Sequence, residues 1–187
     1  MRRLALLIVV FGLVAAGCAT VSGQPVASPT AAASDRPRDI RLDAIDPCSL
    51  FTPAVRQELG ITRPLKADKG ASYVFTGEVP ACDTRGDASV LFSVSVTLAV
   101  HDGIELYKPE RVAGSLTPKR VQGYPALLLK PIKMTDNCAV LVDIAPGQIF
   151  AVMYADGGNT PPTPQDELCT HAEQATNLTM TELLRQS

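Results

Sequence analysis

The clearest pattern in the chain is an alternation of apolar and small or polar residues over positions 90–100. The alternation puts two sets of side chains on opposite faces: Val90, Phe92, Val94, Val96, Leu98 and Val100 on one, Ser93, Ser95, Thr97 and Ala99 on the other. A period of two is that of a β-strand with one buried and one solvated face. Parallel strands are covered on both faces and read as continuous apolar runs, so this alternation predicts an antiparallel sheet.

Further apolar runs predict the rest of the sheet. Residues 138–144 and 148–154 flank Pro146-Gly147, a pair suited to the centre of a type II turn, and they predict a β-hairpin. Residues 124–130 predict another strand, and residues 72–75 a weaker one.

Two segments carry helix signals. Thr52, Pro53 and Gly60 occupy the positions that favour an N-cap, a first helical residue and a C-terminal stop, so a short helix is predicted between them. Residues 155–164, rich in Gly and Pro, predict a loop, and a longer helix follows from Asp166 almost to the end of the chain. Its predicted inner stripe is Leu168, Ala172, Ala175, Thr179 and Leu183.

This order of elements predicts one α+β domain over residues 45–187. The expected architecture is a mostly antiparallel sheet with the short N-terminal helix and the longer C-terminal helix packed on one face. Residues 18–44 are rich in Ala, Ser, Thr and Pro and lack apolar periodicity, which predicts a disordered tether.

The N-terminal segment has the features of a lipoprotein signal peptide, predicted to span residues 1–17. Arg2 and Arg3 precede an apolar stretch at residues 4–16, which is too short to cross a hydrocarbon core of about 30 Å, and small residues precede Cys18. We therefore expect cleavage before Cys18 and its lipidation with diacylglycerol and acyl chains, since two or three chains hold a protein stably on a bilayer. The expected location is the outer face of the plasma membrane.

The net charge bears on the partners. The formal charge is −2, and loss of Arg2 and Arg3 leaves 15 basic against 19 acidic residues, a net −4. This mild acidity argues against a nucleic-acid partner. No polybasic segment supports the attachment to anionic lipid, so the membrane contact is expected through the acyl chains on Cys18 alone.

Four cysteines remain once Cys18 is assigned to lipid: Cys48, Cys82, Cys138 and Cys169. An even number in an exported chain indicates two disulfides, and their spacings of 34, 56 and 31 residues contain no Cys-x-x-Cys zinc knuckle. Of the three connectivities that four cysteines allow, the sequential one closes two moderate loops, one near each end of the domain, and is favoured.

The segment Asp46-Pro47-Cys48, followed by a short helix, resembles the opening of a family of actinobacterial lipoproteins of unknown function. Further landmarks of that family follow in order: Cys82, Gly123-Tyr124-Pro125-Ala126, residues 138–144 with Gly147-Gln148, and Cys169. One departure is Thr84, where members often carry a tryptophan. The resemblance implies a surface lipoprotein with four structural cysteines and brings no activity with it.

Motifs of catalysis and cofactor binding are lacking. His101 and His171 have no metal-ligand spacing around them, and His101 precedes Asp102-Gly103 in an apparent turn. Ser49 and Ser115 lie in no nucleophile motif, so no catalytic residue, metal ligand or cofactor is assigned.

The sequence predicts a non-catalytic binding or sensing module that contacts an envelope protein or a cell-wall component. The alternative is a carrier of a lipid or other apolar ligand between helix and sheet.

Overall fold

One seven-stranded antiparallel sheet organises the structure, a computed structural model that describes residues 35–71, 75–87 and 90–187. The strands are β1 Lys66–Ala71, β2 Glu78–Gly86, β3 Phe92–Ala99, β4 Gly114–Val121, β5 Tyr124–Pro131, β6 Asn137–Ala145 and β7 Gln148–Asp156. Their order across the sheet is β1-β2-β3-β7-β6-β5-β4. The helices are α1 Pro53–Leu59 and α2 Gln165–Gln186, with 3-10 helices at Pro47–Leu50 and Ile104–Leu106. The predicted α+β class is confirmed.

The centre of the sheet is the β6–β7 hairpin. Every residue of β6 is buried, and the two strands pair from Asn137 opposite Ala155 to Ala145 opposite Gln148. The turn between them is the predicted Pro146-Gly147, with Gly147 at a φ of +69°, as the third residue of a type II turn requires.

Helix α2 covers one face of the sheet, chiefly β6 and β7. All five residues of its predicted inner stripe are buried, together with Cys169, Thr176 and Met180. The hydroxyls of Thr176 and Thr179 donate back to the carbonyls of Ala172 and Ala175, which satisfies these polar groups inside the core.

Helix α1 begins and ends where the sequence predicts. The Thr52 side chain accepts a hydrogen bond from the Val55 N–H, Pro53 is the first helical residue, and Gly60 ends the helix at a φ of +67°. Val55 and the neighbouring Phe51 are buried in the same core as the α2 stripe.

The opposite face of the sheet is also covered, contrary to expectation. Ser95 and Ala99, predicted to face water, are buried, and Ala99 joins a second apolar cluster with Leu141, Ile149 and Ala151. Phe75 belongs to this cluster, and Ile104 and Tyr107, from the segment that follows β3, pack against it. The alternation correctly predicted which side chains of β3 share a face. It could not show that a later loop folds back over the face with the small residues.

The strand itself is also shorter than predicted. It begins at Phe92, whereas Val90 and Leu91 precede it with exposed side chains. Strands β1, β2 and β4 were not predicted. Of the weaker predicted strand at 72–75, residues 72–74 lie outside the described part, and Phe75 lies in a bend rather than a strand.

The folded domain begins earlier than predicted. Residues 35–44 were assigned to the tether, yet the described domain starts at Asp35, and Ile40 and Leu42 are buried in its core. The Ile40 N–H donates to the Ile144 carbonyl at 3.1 Å, and the Leu42 N–H to Gln148 Oε1 at 2.9 Å. Two apolar residues at alternate positions are too short a pattern to stand out in a polar, Ala-rich segment.

Candidate functional site

A cavity of about 320 Å³ lies on the sheet face opposite α2. Its floor is formed by Leu129 and Pro131 of β5. Successive side chains of a strand point to opposite faces, and Leu128 packs against the core on the helix side, so Leu129 faces away from the helix. Its roof is the segment 102–113, with Thr76 and Met134 at the sides. We call this space the Asp102 cavity.

The most unusual residue in the wall is Asp102, which is only 2 % exposed. One carboxylate oxygen accepts a hydrogen bond of 2.7 Å from the Thr76 backbone N–H. In the part of the chain that the structure describes, every ion pair uses another carboxylate, so no cationic side chain neutralises Asp102. A buried carboxylate without a charge partner is costly and is therefore a feature to be explained.

Apolar side chains form much of the cavity, and some of them are open to solvent. Leu129 is buried, whereas Leu106 is 38 % and Met134 41 % exposed. Arg111, also in the lining, is an exposed residue. The cavity thus combines a deep acidic group with an apolar wall that reaches the surface, the usual make-up of a small-molecule site.

Tyr107 lines the cavity beside Asp102. Burial of the phenol, together with the nearby negative charge of Asp102, raises the pKa of Tyr107 well above its ordinary value. The hydroxyl is therefore neutral and protonated at every physiological pH. Its ring meets the ring of Phe75 edge to face at 6.2 Å between centroids, which ties the roof of the cavity to the second apolar cluster.

A second depression, of about 290 Å³, lies at the start of α2. Its walls include Leu59, Phe92 and Leu168. The rings of Tyr154 and His171 meet on its border, with their centroids 5.0 Å apart and their planes tilted by 31°. This is the part of the structure nearest to the predicted pocket between helix and sheet. Deeper along the helix, the inner stripe packs directly on the strands with its residues fully buried.

The four structural cysteines form the two bonds that sequential pairing favours, Cys48 with Cys82 and Cys138 with Cys169. The first joins the 3-10 helix before α1 to β2, and the second joins β6 to the first turns of α2. No cysteine is among the residues that line the Asp102 cavity, and each bond holds one element of the domain to another. Cys18 and the predicted signal peptide lie outside the described residues.

The other residues singled out in the sequence do not form a site. His101 is exposed, and Nε2 of His171 lies 3.8 Å from Glu167 on the surface of α2. The Ser49 hydroxyl donates to the Asp46 carbonyl and contacts Gln186, whereas Ser115 is exposed on β4. The structure does not bring these residues together.

The described residues hold neither a cluster of metal ligands nor a helix able to span a membrane. Within residues 35–71, 75–87 and 90–187, no group of three or more His, Cys, Asp or Glu side chains is arranged to hold a metal ion. Nor does either helix of this region have the length and apolar character needed to span a bilayer.

The sequence did not predict the Asp102 cavity. Its acidic residue follows His101 in a segment interpreted as a turn, and Leu106 and Tyr107 follow in a loop without periodicity. The available signal was the set of large apolar and aromatic residues at 104–107, within a segment rich in charge, which is unusual for a loop in solvent.

The fold defines a class: a disulfide-bonded α+β domain built on one antiparallel seven-stranded sheet. A family model described as "Protein of unknown function (DUF3558)" matches residues 13–182, and the chain belongs to this family. The searches of curated proteins and of solved structures found no match to the chain.

Proposed function

We propose that the protein is an exported lipoprotein of the cell envelope whose domain binds a ligand without chemically converting it. Acyl chains on Cys18 hold it at the outer face of the plasma membrane. The observation that carries the binding role is the Asp102 cavity, since a concave apolar site with one convergent polar group is the general form of a small-molecule site.

Support for the anchor comes from the sequence. A basic start, a short apolar stretch and small residues before Cys18 form the pattern of a processed lipoprotein signal. Two structural disulfides fit an oxidising location outside the cytoplasm. The ligand would then be an envelope component, free or displayed by a cell-wall or protein partner.

Support for a non-catalytic role comes from the composition of the cavity wall. Among the described residues of the lining, the ionisable groups are the buried Asp102, the half-buried Tyr107 and the exposed Arg111, and no Ser, Cys, His or Lys lies beside them to act as a nucleophile. A nucleophile with an adjacent base is the arrangement that hydrolases and transferases of the covalent type need. The wall is therefore suited to holding a ligand.

Native mass spectrometry of the full-length protein from its own host tests this proposal. We expect a small molecule to remain bound to the wild type. Ala113→Phe, which puts a ring at the cavity, should abolish the extra mass, and Ala54→Phe on the exposed surface of α1 is the matched control. Repeated absence of any adduct from the wild type would contradict the binding role.

A second candidate is the carrier of a lipid or other apolar ligand between helix and sheet. The depression at the start of α2, with its apolar walls, favours it. Leu91→Asp would introduce a charge into that wall and should release such a ligand. An adduct that survives Ala113→Phe but is lost with Leu91→Asp would select the carrier.

A further inference from the structure

We propose that the ligand of the Asp102 cavity carries an ammonium group, held by the Asp102 carboxylate, on an apolar body that covers Leu106 and Met134. This inference rests on the proposed binding role and names the chemistry that the cavity selects.

The charge of Asp102 is the first argument. The residue is 2 % exposed, and the described hydrogen-bond partner of its carboxylate is one neutral backbone N–H, that of Thr76. A buried carboxylate is normally compensated by a cation. The domain supplies none in its described part, so a positively charged ligand group would provide the missing partner.

The position of Arg111 is the second argument. It lines the same cavity but forms no ion pair with Asp102 in the described structure, and it is exposed. A solvated guanidinium holds a ligand anion weakly, because water screens it, whereas the buried Asp102 acts in a drier medium. The cavity therefore favours a cationic over an anionic ligand.

The walls around Asp102 are the third argument. The Tyr107 ring lies in the same lining, and aromatic rings beside a carboxylate are suited to ammonium groups, which are attracted to the ring face. Leu106 and Met134, each more than a third exposed, leave apolar surface in water that a hydrocarbon chain would cover.

The test uses methyl NMR of the full-length lipoprotein in lipid nanodiscs, with the methionines labelled with 13C. The mature chain predicted to begin at Cys18 keeps three of the four methionines; Met134 lines the cavity, and Met180, fully buried on the inner face of α2, reports on folding. The probes are n-pentylamine, n-pentanol and pentanoate, which share a chain and differ in charge. Nanodiscs without protein correct for partition of the probes into lipid.

We expect pentylamine to shift the Met134 signal at a concentration about tenfold or more below the one that pentanol requires. The reason is that a charged hydrogen bond to a buried group contributes enough binding free energy for about a tenfold difference in affinity. Pentanoate should require the highest concentration of the three probes. Asp102→Asn should remove the advantage of the amine while the Met180 signal stays in place, and Glu110→Gln, an exposed acid on the same segment, should retain it.

Equal midpoints for pentylamine and pentanol in the wild type would overturn the ammonium inference and leave the binding role standing. Retention of the amine preference in a folded Asp102→Asn variant would overturn it equally. A Met134 signal that responds to none of the three probes would overturn both. The wild-type comparison decides the matter even if Asp102→Asn fails to fold.

Discussion

The guanidinium of Arg36 donates to both carboxylate oxygens of Asp143, at 2.7 Å each, and so fastens the first described residues of the domain to its central strand β6. The two side chains are only 10 % and 13 % exposed. Asp39 accepts a further hydrogen bond of 2.8 Å from Arg36. The first described residues of the domain are therefore held against the sheet by buried ion pairing.

Removal of this contact is expected to destabilise the domain. Arg36→Ala leaves the Asp143 carboxylate without its cation in a largely buried place and should lower the free energy of unfolding by about 3 kcal/mol. Arg41→Ala is the matched control, because the Arg41–Asp43 pair is exposed and should contribute less than about 1 kcal/mol. Urea denaturation measures both. Equal losses in the two variants would show that Arg36 is an ordinary surface residue.

The loop between β7 and α2 should weaken in acid. Hydrogen bonds from the side chains of Asn159 and Thr163 and from nearby backbone N–H groups lower the pKa of Asp156 from its usual 3.8 to about 2. A carboxyl whose pKa is lowered by folding stabilises the folded state at pH values above its pKa in the unfolded chain. This contribution is therefore complete above about pH 4 and is lost as the pH falls toward 2.

The comparison of wild type with Asp156→Asn reveals this dependence. The difference between their urea midpoints should be constant above about pH 4 and shrink as the pH approaches 2, because the protonated wild type then resembles the amide. A difference that stays the same over this range would show that the Asp156 carboxylate does not stabilise the loop.

The bond between Cys138 and Cys169 should contribute strongly, since it ties α2 to the sheet across a separation of 31 residues. Loop-closure entropy predicts a loss of about 4 kcal/mol in the double variant Cys138→Ala/Cys169→Ala. Calorimetry of this variant against the wild type checks the value. An unchanged melting temperature would mean that helix packing alone holds α2.

Replacement of either of two glycines by alanine should destabilise the domain, for a different physical reason at each position. Gly60→Ala meets no atom within 4 Å, but its φ of +67° is unfavourable for a side chain, so the cost should be about 1 kcal/mol, and less for Gly60→Asn. In Gly86→Ala the new carbon would lie 2.6 Å from the Gly60 carbonyl oxygen and closer still to the Phe92 ring. Urea denaturation should show the larger loss for Gly86→Ala, about 2 to 3 kcal/mol. The reverse order would contradict this packing.

The sequence predicts those parts of the fold whose signals are local. The caps at Thr52 and Gly60, the turn at Pro146-Gly147 and the stripe of α2 each depend on a few neighbouring residues, and the structure confirms them. The start of the domain was missed because the burial of Ile40 depends on β6, more than a hundred residues later.

The candidate site could not be predicted for the same reason. Asp102 is buried by Thr76 and by the segment that turns back over the sheet, and neither contact leaves a pattern near position 102. An aspartate beside a glycine is typical of an exposed turn, so the local signal pointed to solvent. The packing of a loop on a sheet face depends on tertiary contacts that no periodicity reports.

The proposed role depends on attachment of the domain to the membrane through Cys18, and the intact mass of the protein from the membrane fraction of its host tests this most directly. We expect a chain that begins at Cys18 and carries the added mass of diacylglycerol and acyl groups, and Cys18→Ala should accumulate as unprocessed precursor without acyl mass. An unmodified chain that retains Met1, or a Cys18→Ala variant that is processed and acylated as before, would contradict the account.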